Sequence, residues 1–118
     1  MSIVYFIIGV VLGMYMGMGQ KLSFTSAHAH INLLGWVSLA ISGLIYKAFP
    51  IAAKHMLAVI HFWLVMIGTP LFTLGLFLIG AGKLATIGGI SVALGGFLVI
   101  LGVIVFAVNI FKNIKANG

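Results

Sequence analysis

The chain has no aspartate, no glutamate and no cysteine, and its six basic residues are all lysine. Without carboxylates it cannot build Ca²⁺ or Mg²⁺ cages, and it lacks the acids on which membrane proton relays usually depend. Without cysteine it forms no disulfide, no Fe–S cluster and no covalent C-x-x-C-H haem attachment. Charge is scarce altogether: 5% of the 118 residues are charged, where soluble domains carry about 25%. What fills the chain instead is apolar, with 64% hydrophobic residues and a mean hydropathy of +1.36. This is the composition of an integral membrane protein. A net charge of +6 spread this thinly does not suit nucleic acid, and the lysines read as ends of membrane spans.

Four apolar runs, at about 3–18, 26–46, 55–80 and 86–111, approach the ~20 residues that cross a bilayer as helix. They predict a single all-α domain over residues 1–118, a four-helix bundle whose sequence neighbours pack antiparallel through short loops. The first run lacks the basic start and small-residue cleavage site of a signal peptide, so it is read as a retained helix. Gly9, Gly13 and Gly17 recur every fourth residue there and predict a smooth strip for close helix approach. Gly88, Gly95 and Gly102 of the last span repeat every seventh residue, a stripe for helix packing or for a flat ligand. Pro50 should stop the second span. Pro70 falls mid-helix in the third, where Thr69 and Thr73 are placed to satisfy the carbonyls it frees. Lys47, Lys54, Lys112 and Lys115 fall on one predicted side against Lys21 and Lys83 on the other, which puts both termini in the cytoplasm.

The chemistry concentrates in Ser26-Ala27-His28-Ala29-His30, at the mouth of the second span. Ionisable side chains inside a membrane segment are costly and are functional candidates by default. Helical positions i and i+2 point about 200° apart, so His28 and His30 cannot chelate one ion together and should each face a different neighbour. Ser26 is the expected N-cap, and Asn32, four residues on, should share the face of His28. His55, at a span end beside Lys54, reads as an exposed interfacial residue. His61 reads as a helix-packing hydrogen bonder, and Trp36, Phe24 and Phe62 read as core or lipid-facing aromatics.

Ala27-His28-Ala29-His30, then Gly43-Leu44-Ile45-Tyr46-Lys47-Ala48-Phe49-Pro50, then Ile60-His61-Phe62-Trp63 and Met66-Ile67-Gly68 follow in an order that resembles the tenth and eleventh transmembrane helices of the haem-copper oxidase catalytic subunit, cytochrome c oxidase subunit I and its relatives. The resemblance spans residues 26–80, just under half the chain. It implies that His28 is the proximal ligand of a high-spin haem and His30 an axial ligand of a low-spin haem, on opposite sides of one helix. It also implies that His61 is structural, and that the haem sites lie toward the outer membrane face. Lys21 and Lys83, on that same predicted side, would then pair with haem propionates.

The departures limit what this implies. The copper ligands, the tyrosine beside them and the opposing low-spin ligand belong to helices this chain does not have, so copper is not expected. In the resembled family three four-helix units surround a pseudo-threefold axis, and a cyclic homotrimer of this chain would rebuild that ring and supply the missing axial ligand from a neighbour. The resulting expectation is a homotrimeric haem b protein of the bacterial inner membrane, in contact with lipid and serving electron transport, with a redox partner or a quinol as its counterpart. Two alternatives stand beside it. One is a five-coordinate haem that binds or reduces O₂ or NO, as an oxidase-like oxidoreductase. The other is a haem-free oligomeric module whose histidines bind Zn²⁺ or copper or serve structure alone.

Overall fold

The computed structural model describes residues 2–19, 22–82 and 85–114, and every regular element among them is helical. Four helices are long and apolar enough to cross a membrane: α1 (Ser2–Gly19), α2 (Thr25–Ala48), α3 (Met56–Gly80) and α4 (Ala85–Asn113). They coincide with the four apolar runs to within about a turn. Their outward surfaces stay strongly apolar, as in Ile3, Leu44, Trp63 and Ile100, which suits lipid rather than water as the surrounding solvent.

Local chemistry sets the ends. A 3₁₀ turn, Leu22–Phe24, leads into α2. At the other end of α2, Phe49 is non-helical (φ −127°, ψ 77°), because the ring of Pro50 disfavours helical geometry in the residue before it. Pro50 then opens a single helical turn, Pro50–Ala53, at a position where a missing N–H is no loss. His55 caps α3, its Nδ1 accepting a hydrogen bond from Leu57 N at 3.1 Å. Beyond α3 the chain turns through Gly82 at φ 71°, the left-handed region glycine enters without penalty.

Successive helices pack antiparallel in a flattened bundle of 51 × 27 × 17 Å. The α3–α4 contact is the tightest. A Cβ added at Gly75 would stand 2.6 Å from the Gly88 carbonyl oxygen, and one at Gly68 would stand 3.0 Å from that of Gly95. Gly102 closes on Val65 in the same seam. The glycine stripe of the last span therefore packs a helix, not a flat ligand. The strip on α1 works differently. Gly9 faces the Asn32 amide and Gly13 faces the His28 ring, while Gly17 meets nothing within 4 Å. Two of these three glycines make room for polar side chains rather than for a neighbouring backbone.

Two polar details of α3 and α4 correct or extend what the spacing predicts. Thr73 Oγ1 donates to the Thr69 carbonyl at 2.9 Å, and the Thr69 hydroxyl is buried with no partner. Neither threonine reaches the carbonyl of Met66, the one an interior Pro70 leaves unpaired. Asn109, fully buried, donates Nδ2 to the Ala52 carbonyl at 3.0 Å and so ties the α2–α3 connection to α4.

Candidate functional site

His28 and His30 sit in the first, regular α-helical stretch of α2, Thr25–His30. Ser26 does not cap it: the helix begins one residue earlier, after Phe24, with no side-chain cap. The Ser26 carbonyl has a different use, lying 2.8 Å from His30 Nδ1. A carbonyl can only accept, so Nδ1 carries the proton. The neutral ring therefore keeps an unprotonated Nε2. The His30 ring meets Phe72 of α3 edge-on, with centroids 5.0 Å apart at 71°.

His28 points elsewhere. Its Cε1 lies 2.9 Å from where a Cβ on Gly13 would stand, so its ring rests in the gap that glycine leaves on α1. Asn32 shares its face as the four-residue spacing predicts, donating Nδ2 to the His28 carbonyl at 2.9 Å and standing 3.4 Å from His28 Nδ1. The two imidazoles thus serve two different helices, in the opposed sense their spacing dictates. Both of those neighbours, α1 and α3, belong to the same chain.

Directly after His30 the helix widens into a π-helical segment, Ile31–Ser38. Ser38 Oγ donates to the carbonyl five residues back, at Leu33, over 2.8 Å. Stretches of π-helix are rare and concentrate at functional sites. Here the segment also seats Tyr5 of α1, whose ring lies where any side chain on Gly35 would have to go. Hydropathy predicts ordinary helix over this stretch, because it is blind to a change of helical pitch.

The remaining histidines stand apart from this pair. His61 is buried at 6% exposure; its Nδ1 lies 2.9 Å from the Tyr46 hydroxyl, and its ring packs on Phe106 at 4.7 Å. That is the inter-helix packing role expected of it, with Tyr46 the partner that sequence could not name. His55 is half-buried and spends its ring nitrogen on capping α3. Phe24 is a core aromatic stacked on Phe77 at 4.9 Å, and Trp36 rests on Phe6 at 4.4 Å. Lys21 and Lys83, the expected propionate partners, lie outside the described residues, as does Lys115.

Among the described residues no three histidine, cysteine or carboxylate side chains converge. The arrangement offers single, oriented imidazoles, each to a separate neighbour. Two apolar grooves between α1 and α3, about 500 and 460 Å³, meet at Ile8, Ile31 and Phe77. Comparison with known proteins gives no match: neither a family, nor a curated protein, nor a solved structure aligns with this chain.

Proposed function

We propose that this chain is the subunit of a homotrimeric haem b protein of the bacterial inner membrane, with both termini cytoplasmic. In this reading His28 and His30 hold haem between protomers and the assembly transfers electrons. The observation that carries it is the Ser26–His30 hydrogen bond. Histidines that ligate metals characteristically give their other ring N–H to a carbonyl or carboxylate, which fixes tautomer and orientation. His30 has that bond, and among the described residues nothing hydrogen-bonds its Nε2. The likeness of Ala27-His28-Ala29-His30 and the segments after it to a haem-copper oxidase catalytic subunit adds to this support.

Haem would supply a one-electron iron couple. If His28 and His30 of neighbouring protomers together held the iron, no position would remain for substrate, which favours electron transfer over turnover of O₂ or NO. The chain's own part is to orient. His30 is held by Ser26 and Phe72. The His28 ring is held by Asn32 Nδ2, 3.4 Å from its Nδ1, and by the space at Gly13, so the seating of α1 on α2 governs how much of the ring a neighbouring protomer meets. Lys21 and Lys83 would neutralise propionates.

Visible spectra of the purified protein, oxidised, reduced and reduced under carbon monoxide, test this reading. A Soret band that carbon monoxide leaves unchanged is expected. A carbon monoxide shift would favour the five-coordinate gas-binding alternative, and a colourless protein after haem supplementation would leave the haem-free module. Native mass spectrometry then counts chains and haems, with three chains expected.

A further inference from the structure

A second site lies at the other end of the bundle, where α2 ends and α3 begins. A cavity of about 280 Å³ is lined there by Ser42, Gly43, Tyr46, His61, Phe62 and Val65, with Ser2 of α1 at its edge. Gly43 and Phe62 are exposed, so the cavity is entered from the lipid side. Its volume is near the lower end of ligand pockets, about 300–1,000 Å³, and suits a headgroup with its first carbons while a longer tail remains in the bilayer.

The polar groups in the cavity choose the headgroup. Ser42 Oγ already donates its proton to the Ser38 carbonyl at 2.8 Å, so toward the cavity it can only accept. Tyr46 and the buried His61 share one proton across their 2.9 Å contact. If the phenol donates, its oxygen is left to accept, from the neighbouring Asn109 amide or from a ligand. If His61 Nδ1 donates, the phenol O–H is left to donate. A hydroxyl, both donor and acceptor, pairs with Ser42 and with the Tyr46–His61 couple in either state. A phosphate would meet no cation among these lining residues. An ammonium would meet no carboxylate, since the chain has none, and uncompensated charge at this depth is costly.

From this we infer that the Ser42–Tyr46–His61 cavity binds the hydroxyl head of a neutral lipid alcohol drawn from the bilayer. The site is independent of the haem reading, which uses the other end of α2.

Radiolabelled farnesol binding to the full chain in phosphatidylcholine nanodiscs, corrected against protein-free discs, tests it. One saturable site per chain is expected. Farnesyl methyl ether, which lacks only the donor proton, should compete more weakly by roughly three- to tenfold, the size of one neutral hydrogen bond. Gly43→Leu should abolish the saturable component by filling the cavity, because a Cβ at Gly43 meets nothing within 4 Å and the fold tolerates it. Ser42→Ala should weaken binding by a similar three- to tenfold. Displacement by 1,2-dioctanoylglycerol would assign the site to glycerolipid alcohols, and its failure to displace would assign it to isoprenoid ones. Binding no greater than in empty discs, equal competition by the methyl ether, or unchanged binding in both variants would each overturn the proposal. Haem content measured on the same samples keeps the two readings separate: saturable farnesol binding by protein that stays haem-free after haem supplementation upholds this site while removing the haem one.

Discussion

The same residue type does opposite work at the two ends of α2. Near its start, His28 and His30 bond within their own helix, through Asn32 and the Ser26 carbonyl, and both remain partly exposed. Near its end, Tyr46 reaches across to a buried His61 on α3, and Phe106 of α4 closes over both rings. A hydrogen bond four residues away orients a ring without joining anything to anything. A hydrogen bond fifteen residues away ties two helices together. Each arrangement engages Nδ1, but the first leaves its rings partly exposed, while the second buries its ring at the α2–α3 contact. Intramembrane histidine is therefore a functional signal only once its partner is known.

The sharpest way to break this contrast is to exchange the two ends' roles by mutation. His30→Ala should remove most bound haem, and so should His28→Ala, whereas His61→Ala should keep it. Haem per protein, measured as the pyridine haemochrome, decides. Equal loss from His61→Ala would erase the distinction. Next in size is the anchor beside His61. Asn109→Ala removes one of two donors to the Ala52 carbonyl, which keeps the His55 N–H at 3.3 Å, and it should lower unfolding stability by about 0.5–1.5 kcal/mol. Titration with denaturing detergent, followed by far-UV circular dichroism, reads that change.

Smaller again is the Tyr46–His61 bond itself. A double-mutant cycle of Tyr46→Phe and His61→Ala should return a coupling of about 0.6 kcal/mol and no more than about 1.7, the range measured for bonds between membrane helices. A coupling indistinguishable from zero would mean that the contact only fills space. The weakest effects belong to the glycines of α1. Gly13→Ala pushes a methyl against the His28 ring and should shift the haem spectrum or loosen haem. Gly17→Ala, with open space around it, should stay within about ±0.5 kcal/mol of the parent and leave the spectrum alone. Identical behaviour of the two variants would show that α1 does not seat His28.

Much of this architecture is legible in the amino-acid sequence. The four helices follow from unbroken apolar runs, because a backbone in lipid must satisfy its own hydrogen bonds. The divergence of His28 and His30 follows from helical pitch alone, and the Asn32–His28 contact follows from a spacing of four. The terminal signals are less dependable. Ser26 has the side chain of an N-cap, yet the preceding 3₁₀ turn delivers the chain into helix at Thr25, and the serine carbonyl, not its hydroxyl, becomes the useful group. The threonines flanking Pro70 mislead for a related reason. Thr73 turns to the nearer Thr69 carbonyl, which a single helix offers at no cost in geometry.

The sequence by itself determined the solvent, the number of spans, the absence of acid and thiol chemistry, and which two imidazoles diverge. Those properties depend on composition and on local periodicity, and both are written along the chain. Only the tertiary structure decided that the α4 glycines meet α3 backbone while those of α1 meet His28 and Asn32, since a small residue specifies room without specifying its occupant. It alone decided that Tyr46 completes His61, that Asn109 holds Ala52, and that α2 widens over Ile31–Ser38. Each of those outcomes depends on which groups distant in sequence arrive side by side. Hydropathy drives helices into the bilayer without fixing their rotation against one another, and packing and hydrogen bonding settle that afterwards.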